Sequence, residues 1–279
     1  MFIDTHAHVN FNAFKNDGDE IIRRALTENV WMVLVGSEYK TSKRALDYAN
    51  RYEKGVYAAV GLHPIHLREF QAEGDDYEFI TRAETFSRDA YEKLASFSKV
   101  VAIGEIGLDY YHINVNDDVA QIKNKQKQVL QEQLKLAAEI NLPVILHCRQ
   151  AHDDMLSILK DFKKDYKDIL PTNKSWGVVH CYSGDENLAW QYFSLGLMIS
   201  FTGLITFSAR WDDLIRKLPN EKFMIETDCP FMTPEPFRGK RNEPVLVKKV
   251  AERIALIKNL TTERIAETTT ENAKRLFNI

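Results

Sequence analysis

At 279 residues, 44% hydrophobic and 28% charged with a formal net charge of −3, the chain has a composition that can bury a sizeable core, which excludes a disordered chain. Three thinly spread cysteines argue against a disulfide framework, and the slight negative charge gives no global attraction to nucleic acid, so any such contact needs a local basic patch. The first segment carries Asp4, His6 and His8 and reads as neither a signal peptide nor a membrane span, which makes the cytoplasm the default expectation.

In chain order, eight short apolar runs alternate with amphipathic stretches, the pattern of parallel strands joined by helices. The spacing predicts strands near 1–6, 30–35, 55–61, 99–105, 142–147, 175–180, 196–201 and 222–227. Helices are predicted near 18–29, 41–53, 76–97, 118–141, 152–165, 185–195 and 208–218, then 243–258 and 262–275. No linker, low-complexity tract or internal repeat divides residues 1–279, so one α/β domain is expected, a single (β/α)8 TIM barrel. The stretch 62–98 exceeds a minimal connection, and its first half, Leu62-His63-Pro64-Ile65-His66-Leu67, sits where a barrel keeps its catalytic loops. Over 118–141, Val129, Leu130, Leu134, Ala137, Ala138 and Ile140 oppose Lys123, Lys125, Lys127, Glu132 and Lys135. That is a core-facing stripe with a solvated face, and the lysines need no nucleic-acid explanation.

His6 and His8 stand two residues apart at the end of the first apolar run, so both imidazoles leave one face of a strand and can grip one metal ion. Glu105, His147 and His180 each close a later run, and Asp228 follows Phe223-Met224-Ile225-Glu226-Thr227. Polar ligands at the C-terminal ends of several strands describe a metal site on a barrel mouth. Two divalent ions suit the set: His6, His8 and Asp228 hold one, His147 and His180 the other, and Glu105 has two oxygens with which to bridge them. Ions about 3.5–4 Å apart would bring a water toward hydroxide near neutral pH. A loaded site would keep roughly +2 of charge, favouring an anionic phosphodiester over a neutral amide. Glu105 and Asp228 are the candidate catalytic carboxylates, Asp228 as proton acceptor.

Glu226 and Asp4, each two residues before a ligand, are candidates for orienting ligands through buried hydrogen bonds or for direct chemistry. His63 and Arg149 are candidate phosphate contacts, with a loop-structural role for His63 and a helix-capping salt bridge for Arg149 equally open. After the eighth strand, Arg238, Lys240 and Arg241 supply three cations within four residues, the local basic patch that composition lacks. His66, His112 and His152 are expected at the surface. Cys148, Cys181 and Cys229 each follow a proposed ligand and are read as small packing residues pointing away from the metals.

Together these motifs resemble the TatD family of metal-dependent deoxyribonucleases, within the wider amidohydrolase-like barrels. The resemblance spans the chain and rests on Asp4-Thr5-His6-Ala7-His8, Gly61-Leu62-His63-Pro64, Gly104-Glu105-Ile106-Gly107-Leu108-Asp109-Tyr110-Tyr111, His147-Cys148-Arg149, His180-Cys181-Tyr182-Ser183-Gly184, Glu226-Thr227-Asp228 and Arg238-Gly239-Lys240-Arg241-Asn242-Glu243-Pro244. It implies a (β/α)8 barrel whose two-metal site hydrolyses DNA phosphodiesters, often from a 3′ end of single-stranded DNA, typically with Mg2+. By that likeness the metal ligands are His6, His8, Glu105, His147, His180 and Asp228, with phosphate contacts on His63 and Arg149. The donor chemistry pulls otherwise, since four imidazoles favour Zn2+, Mn2+ or Fe2+ over Mg2+. A monomer is the favoured state. Two alternatives stay open: an amide or ester hydrolase or aminoacyl-tRNA deacylase on the same barrel, and a non-catalytic metal-stabilised scaffold.

Overall fold

The eight apolar runs become the staves of one parallel sheet in the computed structural model, which describes residues 1–69, 71–73, 78–81, 83–114 and 117–279. In chain order the strands are β1 (Phe2–Ala7), β2 (Val30–Val35), β3 (Val56–Val60), β4 (Gln71–Glu73), β5 (Glu78–Ile80), β6 (Val100–Asp109), β7 (Val144–Arg149), β8 (Gly177–Val179), β9 (Leu197–Phe201) and β10 (Phe223–Ile225). Eight of them pair side by side in the order β1-β2-β3-β6-β7-β8-β9-β10, while β4 and β5 form a separate antiparallel hairpin. The sheet closes where Ala7 bridges Cys229 in parallel. At that seam the His8 amide donates to the Cys229 carbonyl at 2.8 Å and the Asp228 amide to the His6 carbonyl at 2.9 Å. The result is the expected (β/α)8 barrel.

Strands buried on both faces need apolar residues on both, and the chain accordingly has two cores. Ile3, Val33, Ala59, Val101, Ile145, Val178, Met198 and Met224 fill the barrel interior. A larger outer core lies between the sheet and its helices: α1 (Gly18–Thr27), α2 (Tyr39–Ala49), α3 (Arg88–Ala95), α4 (Val119–Glu139), α5 (His152–Asp165), α6 (Glu186–Ser194), α7 (Asp212–Lys217), α8 (Val247–Lys258) and α9 (Thr262–Phe277). The α9 residues Ala273, Leu276 and Phe277 join the inner core. Asn272 of α9 donates to the carbonyls of Asn220 and Phe223, and Thr270 to that of Met1. These contacts seat α9 under the N-terminal ends of the strands and leave the opposite face for chemistry. No helix among the described residues is long and apolar enough to cross a membrane.

Three helical stretches are among the elements that depart from the sequence pattern. The helix expected over 76–97 is confined to Arg88–Ala95; residues 78–80 pair with 71–73 instead, in keeping with the strand preference of Phe79 and Ile80, and residues 76, 77 and 82 lie outside those described. The helix expected over 208–218 starts late, at Asp212, after a 3₁₀ turn over Ala209–Trp211. The buried face of α4 is not wholly apolar. Gln126 and Gln133 are buried on it; Gln126 accepts from the Asp109 amide and donates to its carbonyl, both at 2.9 Å, and Gln133 does the same for Leu62 at 2.8 and 3.0 Å. The α4 lysines also have structural partners: Lys125 donates to the Leu67 carbonyl and Lys127 pairs with Asp154.

β6 and β7 touch most closely at Gly107, which has φ +152° and whose added Cβ would fall 1.9 Å from the His147 carbonyl oxygen. Only glycine fits that conformation and approach. Gly107→Ala should therefore destabilise the protein by about 3 kcal/mol or more, read as a lowered urea midpoint at unchanged m-value; a loss under about 1 kcal/mol would mean that the strands part easily.

Candidate metal centre

The mouth of the barrel collects side chains from six of its eight staves. On β1 the pairing register slips between Asp4 and Ala7, so Ile3 packs in the inner core while Ala7 joins the outer one. That slip turns His6 and His8 inward, with their Nε2 atoms 3.1 Å apart. His8 Nδ1 lies 2.8 Å from the Val35 carbonyl; a carbonyl only accepts, so Nδ1 carries the proton and Nε2 offers its lone pair to the pocket. Asp228 Oδ1 completes this corner at 3.3 Å from His8 and 3.7 Å from His6.

Glu105 divides its carboxylate between two groups of imidazoles. Oε2 faces His6 and His8 at 3.4 and 3.7 Å. Oε1 faces His180 at 2.7 Å, His147 at 2.9 Å and His63 at 3.3 Å. Burial alone would raise the Glu105 carboxyl, yet the surrounding His180, His63 and His6 draw it well below the usual carboxylate range. Asp228 is likewise held down by His8 and its neighbours against burial. Both are therefore ionised acceptors near neutral pH. Ligand atoms lie within 4.8 Å of one another in four groups, His6/His8/Asp228, Glu105/His147/His180, His6/His180/Glu226 and His63/Asp109/His147, and each could hold an ion. Cysteine belongs to none of the candidate groups among the described residues; Cys148 and Cys229 are buried and Cys181 is partly exposed.

A ring of acceptors outside the pocket fixes these ligands. Asp4 is fully buried and accepts from the Thr227 amide at 2.9 Å and hydroxyl at 2.5 Å, tying β1 to the turn that carries Asp228. Burial pushes its carboxyl well above the usual range despite those donors. Glu226 accepts from the Cys181 amide at 2.7 Å and the Ser200 hydroxyl at 2.5 Å, and its Oε1 stands 3.4 Å from His180 Nδ1. Both residues are thus engaged in buried hydrogen bonds, and Glu226 also belongs to one of the four candidate groups.

The sequence reading missed Asp109. β6 continues four residues beyond its expected end at 105, carrying Asp109 Oδ2 to 3.0 Å from His147 Nε2 and 2.9 Å from His112 Nδ1. With Nε2 engaged by Asp109, His147 turns Nδ1 toward Glu105. The signal lies inside the motif Gly104–Tyr111, but a strand expected to end at 105 leaves this aspartate beyond it.

The remaining candidates separate by what they touch. His63 Nδ1 accepts from the Ile65 amide at 3.1 Å, so its Nε2–H points into the pocket as a donor; burial pushes this imidazole down to about 4, keeping it neutral. His63 therefore caps its loop and lines the site at once. Arg241 is committed to Asp17 and the Ala13 carbonyl, so the patch of three cations narrows to Arg238 and Lys240, both exposed. Arg149 forms no helix-capping salt bridge among the described residues and lies over the Tyr111 ring. The three histidines expected at the surface are partly buried and bonded: His66 to Ser37, His112 to Asp109 and His152 to Tyr192.

Residues 3–278 match the family model described as TatD related DNase. The chain is 40% identical, over the full length of both proteins, to the uncharacterized metal-dependent hydrolase YabD of Bacillus subtilis. It is 32% identical to the 3′-5′ ssDNA/RNA exonuclease TatD of Erwinia tasmaniensis, with 99% of each chain covered. Among solved structures it is similar to YJJV, a TatD homolog from Escherichia coli, with a TM-score of 0.81 and 32% identity over 100% of this chain and 98% of that one.

His66 makes the acid response of this region testable. Burial pushes its imidazole down to about 3, against about 6.5 in an unfolded chain. A folded value below the unfolded one stabilises the fold above pH 6.5, and that contribution is lost as pH falls from 6.5 toward 3. Between pH 7.5 and 5 the loss amounts to about 2 kcal/mol. His66→Gln, which keeps an amide within reach of Ser37, should flatten the fall of unfolding free energy in metal-free protein over that window; an unchanged slope in urea titrations would place the proton uptake elsewhere.

Proposed function

Taking as premise that the chain belongs to the TatD-related DNase family, a family of metal-dependent hydrolases, we propose that it cleaves phosphodiester bonds of single-stranded DNA from the 3′ end. The observation that carries this reading is the division of Glu105 between two imidazole groups, an arrangement suited to a carboxylate shared by two divalent ions. The donor set fits such ions. Glu105 and Asp228 are buried, and imidazoles alone lie within ion-pair range of them among the described residues. Buried carboxylates are costly unless a cation offsets them.

In this reading His6, His8 and Asp228 would hold one ion and His147 and His180 the other, with Glu105 available to both. Zn2+, Mn2+ or Fe2+ suits the imidazoles, and Mg2+ is the ion expected from the family. The ions would polarise a phosphoryl oxygen and acidify a water. The protein's own groups supply the rest. His63 presents its Nε2–H to a non-bridging phosphate oxygen; as the water oxygen bonds to phosphorus and the P–O bond to the departing sugar oxygen breaks, Asp228 receives the water's proton and passes it on to that oxygen. Arg149, Arg238 and Lys240 make no ion pair among the described residues, so they are available to neighbouring phosphates. That a relative of similar length bears the name of a 3′-5′ ssDNA/RNA exonuclease supports the substrate and polarity.

Two measurements test the assignment. His147→Ala and Glu105→Ala should each lower chelator-sensitive nucleotide release from a single-stranded oligonucleotide by more than about 100-fold while leaving the circular-dichroism spectrum unchanged; variants that cut as the parent does would sink it. Asp109→Asn should weaken one of two ions by about 10–100-fold and leave the other untouched, as resolved by calorimetric titration of metal-free protein. Equal weakening of both would make Asp109 a general structural residue instead.

A further inference from the structure

Two arginines at the barrel mouth lie over partly exposed aromatic residues. The Arg149 guanidinium carbon stands 3.5 Å above the Tyr111 centroid and that of Arg238 stands 3.8 Å above Phe207. Other arginine–ring pairs are looser, at 4.3 Å for Arg241 on Phe14, 4.6 Å for Arg51 on Tyr48 and 5.2 Å for Arg210 on Trp211. Arg241 and Arg51 also spend their charge on Asp17 and Asp19. Arg149 and Arg238 have no ion pair and no side-chain hydrogen bond to another described residue, and their rings remain 49% and 38% exposed.

Neither pair is loosely hung. Beside Tyr111, the Tyr110 amide donates to the Arg149 carbonyl at 2.9 Å and its hydroxyl to Asp154 at 2.6 Å. On the other side, the Glu235 amide donates to the Thr206 hydroxyl at 2.9 Å, and Gly203 lies so close that a Cβ would fall 2.0 Å from the Met232 carbonyl oxygen. Strand order then sets the spacing. Tyr111 and Arg149 sit at the ends of β6 and β7, Phe207 and Arg238 beyond β9 and β10, with β8 and His180 between them. The two pairs therefore flank the end of β8, where His180 meets Glu105 at 2.7 Å.

We infer that the Tyr111–Arg149 and Phe207–Arg238 pairs are two stacking platforms that seat nucleobases on either side of the scissile phosphate. A ring backed by a guanidinium offers a flat polarisable face to a base, while the guanidinium edge is free for the adjoining phosphate. Both faces of every base in a duplex are already stacked, so such platforms select single strands by their bases as well as by charge. This inference rests on the nuclease reading and adds to it the part of the substrate that is recognised.

The test compares a 5′-labelled single-stranded oligonucleotide with one of equal length carrying abasic tetrahydrofuran sites at its 3′-terminal positions. Binding is followed by fluorescence anisotropy with Ca2+ in place of a catalytic metal, and release of nucleotides from the unmodified strand is measured separately with Mg2+ or Mn2+. The parent should bind the strand with bases at least tenfold more tightly, about 1.4 kcal/mol. Tyr111→Leu and Phe207→Leu should each shrink that ratio and the double variant should bring it close to one, with Tyr111→Phe and Phe207→Tyr restoring it. Parent protein that releases nucleotides yet binds both strands alike, or leucine variants that keep the full ratio, would overturn the platforms and spare the nuclease reading. A parent that releases no nucleotides with either metal would sink the nuclease reading and the platforms with it.

Discussion

The molecule depends on a seam. β10 is only three residues long, and what joins it to β1 is a short run of contacts just past its end: the amides of His8 and Asp228 donating across to Cys229 and His6, and Asp4 receiving both donors of Thr227. Because a parallel barrel has no free edge once closed, this joint completes the sheet. The same contacts aim His6, His8 and Asp228 at one point. Fold closure and assembly of the first ligand group are one event.

The second constraint is the cost of buried charge. Glu105, Asp109 and Asp228 are all buried and held ionised, which an apolar barrel tolerates only if each oxygen has a partner. Imidazoles partner all three carboxylates, and the His112 amide donates to the other Asp109 oxygen at 3.0 Å. Each inner histidine uses one ring nitrogen toward the centre, and His8 and His147 anchor the other on a carbonyl and a carboxylate. The outer partners thereby choose which nitrogen faces inward, Nε2 for His8 and Nδ1 for His147, a difference that residue identity alone does not disclose.

Strands and candidate ligands were largely legible in the chain, and for a common reason. A strand covered on both faces must be a continuous apolar run, so a histidine or acid ending such a run stands out. What escaped the reading depends on contacts between distant segments. The register slip at Asp4–Ala7 is a property of β1 against β2. Asp109 acquires its role only because β6 runs on beside β7. Arg241 looks like any loop cation until Asp17 is seen beside it, and Phe79 and Ile80 sit in a stretch whose helical pattern lost to hairpin pairing.

Gln126 and Gln133 lie two turns apart on one face of α4, and each saturates both backbone groups of a single residue, Asp109 or Leu62. A rigid rod thereby acts as a gauge: at 1.5 Å per residue the two amides are held ~10.5 Å apart along the axis, and with them the loop bearing His63 and the strand end bearing Asp109. The gauge length is quantised. Inserting or deleting one residue between the glutamines would swing one amide about 100° round the rod, so this segment of α4 tolerates exchange of its outward side chains far more readily than any change in its length.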